Sequence, residues 1–227
     1  MPIDDALAQL GPSIKYPKIE PTSSSGGYIL LPENEYHKDL LISKERKYLG
    51  KNWQEAHEEL AKEDFNMLTI RQFVDFLKLL KSENVYDENK NRISDEETKL
   101  ILDDILTQRA PYRGEWLDAD FKVINNKLQV NYNHKYTNGE LIPQKSEPLE
   151  ACLMEDVYVD LFSANRQGLP TKKSKSQEIC FYYPRYDNNS VAGFGAYSGG
   201  VDLDCGGGPQ GSDPGLGVRP VKFYKGT

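Results

Sequence analysis

Between Asp187 and Val218 the chain reads Ser190-Val191-Ala192-Gly193-Phe194-Gly195-Ala196-Tyr197, then Asp202-Leu203-Asp204-Cys205-Gly206-Gly207-Gly208, and closes on Gly215-Leu216-Gly217-Val218. This window holds no Lys, Glu, Arg, Met or Trp, and ten of the 18 glycines fall between Gly193 and Gly217. Glycine-dense, charge-poor backbone is entropically costly to order. A chain orders such a segment where backbone must lie close to something, or where side-chain identity matters little to the fold.

The rest of the chain bounds the answer. Its 227 residues suffice for one sizeable domain. Hydrophobic content of 38% and charged content of 28% fit a globular protein. A net charge of −7 without a basic face argues against nucleic acid and anionic membrane as partners. No apolar run approaches the ~18 residues of a membrane span. The start, Met1-Pro2-Ile3-Asp4-Asp5, has neither the basic end nor the apolar core of a signal peptide. The expectation is a protein that is cytoplasmic when made, or carried outside by an assembly such as a virion. The three cysteines, Cys152, Cys180 and Cys205, suit neither a disulfide framework nor a zinc site. Free thiols are the expectation, with a Cys180–Cys205 bridge as the alternative.

Residues 1–27, with Pro2, Pro12, Pro17, Pro21 and the run Ser23-Ser24-Ser25-Gly26-Gly27, read as a flexible arm that could dock on a virion or partner chain. Residues 28–227 read as one domain. Tyr28-Ile29-Leu30-Leu31 is a short strand candidate. Three helices are announced by capping boxes: Asn52 with Glu55, Thr69 with Gln72, Ser94 with Glu97. Trp53, Ala56 and Leu60 form the first apolar stripe. Ile70, Phe73, Val74, Phe76, Leu77 and Leu80 form the second, and Ile101, Leu102, Ile105 and Leu106 the third. From about Glu115 the pattern turns to strands. Asn138-Gly139 is the strongest hairpin signal. Ile179-Cys180-Phe181-Tyr182-Tyr183 is an apolar strand, and Val218–Tyr224 a closing one whose Pro220 suits an edge or a strand start. Without strand–helix alternation, the class is α+β.

No catalytic constellation emerges. His37, His57 and His134 sit in unrelated segments, and His57 reads as the exposed side of its helix. Glu96-Glu97 and Asp103-Asp104 read as a solvated helix face. Asp202, Asp204 and Asp213 occupy relative positions 1, 3 and 12 of a calcium loop, but Gly206 and Gln210 fill positions 5 and 9 and no helices flank it. The Gly-Gly-Gly run cannot cradle phosphate, because Pro209 and Pro214 forbid the helix such a loop needs. Neither a metal nor a cofactor is expected.

The motifs Phe181-Tyr182-Tyr183-Pro184-Arg185, Ser190-Val191-Ala192 and Gly215-Leu216-Gly217-Val218-Arg219-Pro220-Val221 resemble the variable regions of diversity-generating retroelement proteins. That family is similar to C-type lectins, in the branch shared with formylglycine-generating enzymes. Trp53-Gln54-Glu55-Ala56 and Met67-Leu68-Thr69-Ile70-Arg71-Gln72-Phe73 resemble that branch's first helix and the start of its second. Members carried by archaeal viruses and small archaea look most similar. The resemblance implies a C-type-lectin-like fold: helices around a small antiparallel sheet, terminal strands paired because such a fold closes its ends, long Gly-rich C-terminal loops, and a variable region at about residues 181–221. In the family a reverse transcriptase miscopies template adenines, so Asn codons of the AAY type are the main targets. Randomising their first two bases cannot produce Lys, Glu, Gln, Met or Trp. The Asp187–Val218 window conforms except for Gln210.

The resemblance further implies a non-enzymatic recognition protein that binds a macromolecular target, a protein on a host or cell surface. Fixed anchors would be Val191, Ala192, Phe194, Ala196, Leu203, Cys205, Leu216 and Val218. Exchangeable display positions would be Tyr186, Gly193, Gly195, Tyr197, Gly199, Gly200, Asp202, Asp204, Gly206, Gly208, Asp213 and Gly215. Tyr186 and Tyr197 would supply the largest rigid contact area. No Glu-Pro-Asn or Gln-Pro-Asp sugar motif is present. The competing readings are a structural virion or surface protein, and an oxidase of the formylglycine-generating type. The oxidase would need Cys180 and Cys205 as a reactive pair.

Overall fold

The computed structural model describes residues 26–82 and 84–224. Most of the expected N-terminal arm therefore lies outside the described residues. The first strands, β1 (Tyr28–Leu31) and β2 (Leu40–Ser43), precede α1 (Trp53–Lys62), β3 (Asn66–Met67), α2 (Ile70–Lys81) and α3 (Asp95–Leu106). A strand-rich half follows: β4 (Arg113–Ile124), β5 (Lys127–Thr137), β6 (Glu140–Pro148), β7 (Val157–Tyr158), β8 (Ile179–Tyr182), β9 (Ser190–Tyr197), β10 (Gly200–Gly207), β11 (Leu216–Gly217) and β12 (Pro220–Phe223). The chain is α+β.

The helices begin where their caps require. The Asn52 side chain accepts from the Glu55 amide (2.9 Å) while Glu55 accepts from the Asn52 amide (3.0 Å), so both orphan donors are satisfied. Thr69 and Gln72 do the same for α2. At α3 the box is only half closed. Ser94 accepts from the Glu97 amide, but the Glu97 carboxylate is drawn to Lys44, 2.7 Å away. The stripe of α2 is buried in full. On α1 the buried set is Trp53, Ala56, His57 and Leu60. His57 is thus 4% exposed, not on the solvent side. It lies four residues after Trp53 on the same helix face, and its polarity alone had placed it outside.

Two sheets divide the strands. The smaller has the order β1-β2-β12-β3. The terminal strands β1 and β12 share it without pairing, because β2 runs between them. Strand β2 carries no alternation to announce it, since all four of its residues are buried. Pro220 opens β12 opposite Met67, the strand-start position its missing N–H allows. The larger sheet, eight strands rather than a small one, has the order β6-β5-β4-β9-β10-β8-β7, with β11 beside β4. It is not wholly antiparallel: β8 pairs β10, and β11 pairs β4, in parallel. Strands β5 and β6 meet at Thr137 and Glu140, with Asn138 at φ 54° and Gly139 at φ 84°. This is the left-handed pair that a two-residue hairpin requires.

Each face of the larger sheet has its own apolar layer. Leu117, Ala119, Phe121, Phe194 and Leu203 join the main core with α2. Trp116, Val191, Leu216 and Val218 pack with Trp53, Ala56 and Leu60 of α1 on the other face. One charged cluster is buried with the apolar residues. Arg219 donates to Glu115 from Nη2 (2.8 Å) and Nε (3.2 Å), and from Nη1 to the Ser43 carbonyl (3.0 Å). Arg113 donates to Glu115 and, at 3.0 Å, to Asp104. Asp104, expected on a solvated face, therefore reaches inward and also accepts from Arg109.

Candidate functional site

Alternation along β10 decides which side chains face outward. Val201, Leu203 and Cys205 are buried, so Asp202 and Asp204 stand on the opposite face. Register carries that face across neighbouring strands. Asp202 lies opposite Gly195 of β9 and Cys180 of β8, and Asp204 opposite Gly193 and Tyr182. Gly195 and Gly193 in turn lie opposite Gly114 and Trp116 of β4. The result is a hollow of about 470 Å³ lined by Tyr112, Trp116, Gly193, Tyr197, Asp202, Asp204, Gly207, Gly208, Gly211 and Leu216.

Each wall has a cause. The Trp116 indole is fixed by its Nε1 donating to the Lys51 carbonyl (3.0 Å). A Cβ on Gly193 or Gly211 would rest against this ring at ordinary contact distances, so small residues there leave the ring as wall. Tyr112 folds over Gly114 and Gly195, where added Cβ atoms would approach its hydroxyl to 2.2 and 3.1 Å. Burial pushes the Tyr112 hydroxyl up to about 12, reinforced by Asp202 and Asp204. Asp204 accepts from the Gly206 amide (2.7 Å). Burial, then the charge of Asp204, pushes the Asp202 carboxyl up to about 7. Below that pH the group is mainly neutral, and it ionises as pH rises past it.

Of the twelve display positions, the hollow gathers five: Gly193, Tyr197, Asp202, Asp204 and Gly208. Gly208 has no neighbour within 4 Å of an added Cβ and no positive φ, so it accepts a side chain. Tyr186, 61% exposed, is displayed but outside the hollow. Gly199 and Gly200 sit at the β9–β10 connection, and Gly206 beside Arg185. Asp213 turns back to accept from the Gly215 amide (2.7 Å). Three positions resist exchange, and the first is Gly200, whose φ of 157° side chains rarely adopt. Gly195 is buried beneath Tyr112. At Gly215 an added Cβ would lie 1.9 Å from the Tyr112 carbonyl oxygen, a backbone atom that cannot yield cheaply. All eight anchors are buried. The lining residues missed by the sequence reading are Gly207 and Gly211, within the glycine-rich segment, and Tyr112 and Trp116, outside it: Tyr112 immediately precedes β4 and Trp116 lies on it.

Other chemistry is set by the same alternation. Asp202 and Asp204 lie on an extended strand, not in a calcium-type loop. The cysteines are free, and Cys180 and Cys205 point to opposite faces of the sheet. Burial raises both thiols above their ordinary value. Among the described residues, one set of donors converges in the manner of metal ligands: His57, Asp118 and His134, beneath α1. Among these residues no helix is long and apolar enough to cross a membrane. No protein-family profile, curated protein or solved structure matches the chain.

Proposed function

We propose that this is a non-enzymatic recognition protein of the diversity-generating retroelement class, with a C-type-lectin-like domain whose C-terminal sheet face binds a macromolecular target. The observation that carries the reading is the segregation within one short segment. Its eight apolar anchors are buried in the cores, with Leu216 also at the edge of the hollow, while Gly193, Tyr197, Asp202, Asp204 and Gly208 line that hollow. Surface substitutions of that kind move stability little, which is what a tolerated variable region needs. The α+β class, the α1 and α2 caps, and β1 and β12 in one sheet support the C-type-lectin-like assignment. The oxidase alternative is disfavoured because Cys180 and Cys205 face opposite ways and both thiols are held in the weakly nucleophilic protonated form. Sibling copies of the gene provide the test of diversification. Their differences should cluster at the five hollow-lining positions and spare Gly195, Gly215 and the anchors. Differences scattered over the chain would favour a structural surface protein instead.

In this variant the hollow offers two carboxylates among the rings of Tyr112, Trp116 and Tyr197. Such a lining suits a Lys or Arg side chain presented by the target. Peptides selected from a displayed library should be enriched in Lys or Arg. Their affinity should rise by up to about tenfold between pH 6 and pH 8 as Asp202 ionises, and Asp202→Asn should remove that dependence. Selected peptides without basic residues, or affinities indifferent to both aspartates, would rule out the cationic target.

A further inference from the structure

Beneath α1, outside the lining of the hollow, three buried polar side chains converge. His57 comes from α1, Asp118 from β4 and His134 from β5, and all three are buried. One donor atom from each lies within 4.8 Å of the others. His134 Nδ1 stands 2.5 Å from Asp118 Oδ1, and His57 Nε2 stands 3.6 Å from the same oxygen. The second Asp118 oxygen accepts from the His134 backbone amide (3.0 Å), which fixes the carboxylate's orientation. The Trp53 ring closes the side, with its centroid 4.5 Å from that of His57 and 5.0 Å from that of His134.

An ion pair between His134 and Asp118 does not account for this arrangement. It leaves His57 Nε2 buried with no hydrogen-bond partner. Asp120 Oδ1 stands 3.6 Å from His134 Nε2, on the far side of the ring. Buried polar atoms are ordinarily satisfied, and a lone buried imidazole nitrogen aimed at a carboxylate is costly. One occupant among the three donors would give His57 Nε2 its partner. Imidazole nitrogen and carboxylate oxygen are the donors a zinc-type ion takes. A metal-bound histidine ordinarily donates its far N–H to a carboxylate, and Asp120 is placed to receive it.

We propose that His57 Nε2, Asp118 Oδ1 and His134 Nδ1 bind a divalent transition-metal ion of the zinc class, with Asp120 orienting His134 from outside. The ion ties α1 to β4 and β5. Trp53 beside the site is itself held in place: its indole donates to the Leu117 carbonyl (3.0 Å) and its amide to the Pro209 carbonyl (3.0 Å). The site is independent of the recognition reading and stands or falls without it.

The test uses the full chain stripped of metal by a chelator. Equilibrium dialysis against Zn²⁺ should give about one bound equivalent per chain. Zn²⁺ at a hundredfold excess over its dissociation constant should raise the melting temperature by about 5–10 °C. Co²⁺ should produce the visible absorption bands of a nitrogen–oxygen site. His57→Asn should lose the equivalent while keeping the far-ultraviolet circular dichroism of the parent, and Asp204→Asn should keep it. Absence of stoichiometric Zn²⁺ in the parent chain, or an equivalent that survives His57→Asn, would overturn the proposal. Should His57→Asn fail to fold, the parent chain's stoichiometry and Co²⁺ spectrum decide alone: both present supports the site, either missing overturns it.

Discussion

Replacing Glu115 with glutamine is expected to destabilise the protein by about 3–5 kcal/mol, because two buried guanidinium groups lose their shared counter-charge. Glu115 is fully buried and accepts from both Arg113 and Arg219. Glutamine keeps the shape, so the loss measures the charge rather than a cavity. For a chain of this length the melting temperature should fall by roughly 6–20 °C. The same cluster sets an acid limit. Burial alone would raise the Glu115 carboxyl, but the charges and hydrogen bonds of Arg113 and Arg219 outweigh it and hold the group at about 2. A folded value below the unfolded one, about 4.3, means the contribution is fully present above that unfolded value. It is lost as pH falls from there towards 2. Chemical denaturation at pH 7 and pH 3 should therefore show the parent losing stability on acidification and Glu115→Gln losing much less. Equal acid sensitivity in the two would mean that other carboxylates govern the acid limit.

Leu203→Ala is the second large effect, at about 2–5 kcal/mol. Leu203 has no exposed surface and lies in the middle of β10, opposite Phe194 of β9 and Phe181 of β8. Neighbours held on both sides by strand pairing cannot collapse readily into the space left behind, which favours the upper part of that range. Urea unfolding of the parent and the variant measures it directly.

What was legible in the sequence was local. The α2 stripe and both boxes at Asn52 and Thr69 are contained in a few adjacent residues, as is the Asn138-Gly139 turn. The anchors of the C-terminal segment could be named because the family resemblance implies fixed positions and the apolar residues among the glycines are the ones that fit them. What was not legible depends on chain-distant contact. Glu115 and Arg219 are 104 residues apart. Tyr112 and Trp116 enter the hollow only because β4 pairs with β9. Glycines are the hardest case: Gly208 and Gly215 look alike in sequence, yet one faces open space and the other leaves no room for a methyl group. His57 carries a local signal. It follows Trp53 by four residues and Ala56 by one, on the stripe rather than across from it. Its partners Asp118 and His134 are supplied by strands far along the chain.

The recognition account rests on the division between residues that hold the fold and residues that the hollow displays. Thermal unfolding of Tyr197→Ser, Asp204→Ser and Gly208→Ser beside Leu203→Ala tests that division most directly. The account predicts that each of the three displayed positions changes stability by no more than about 0.5 kcal/mol, while Leu203→Ala costs about 2–5 kcal/mol. Losses at the three displayed positions as large as that of Leu203→Ala would make the segment a packed structural element and contradict the account.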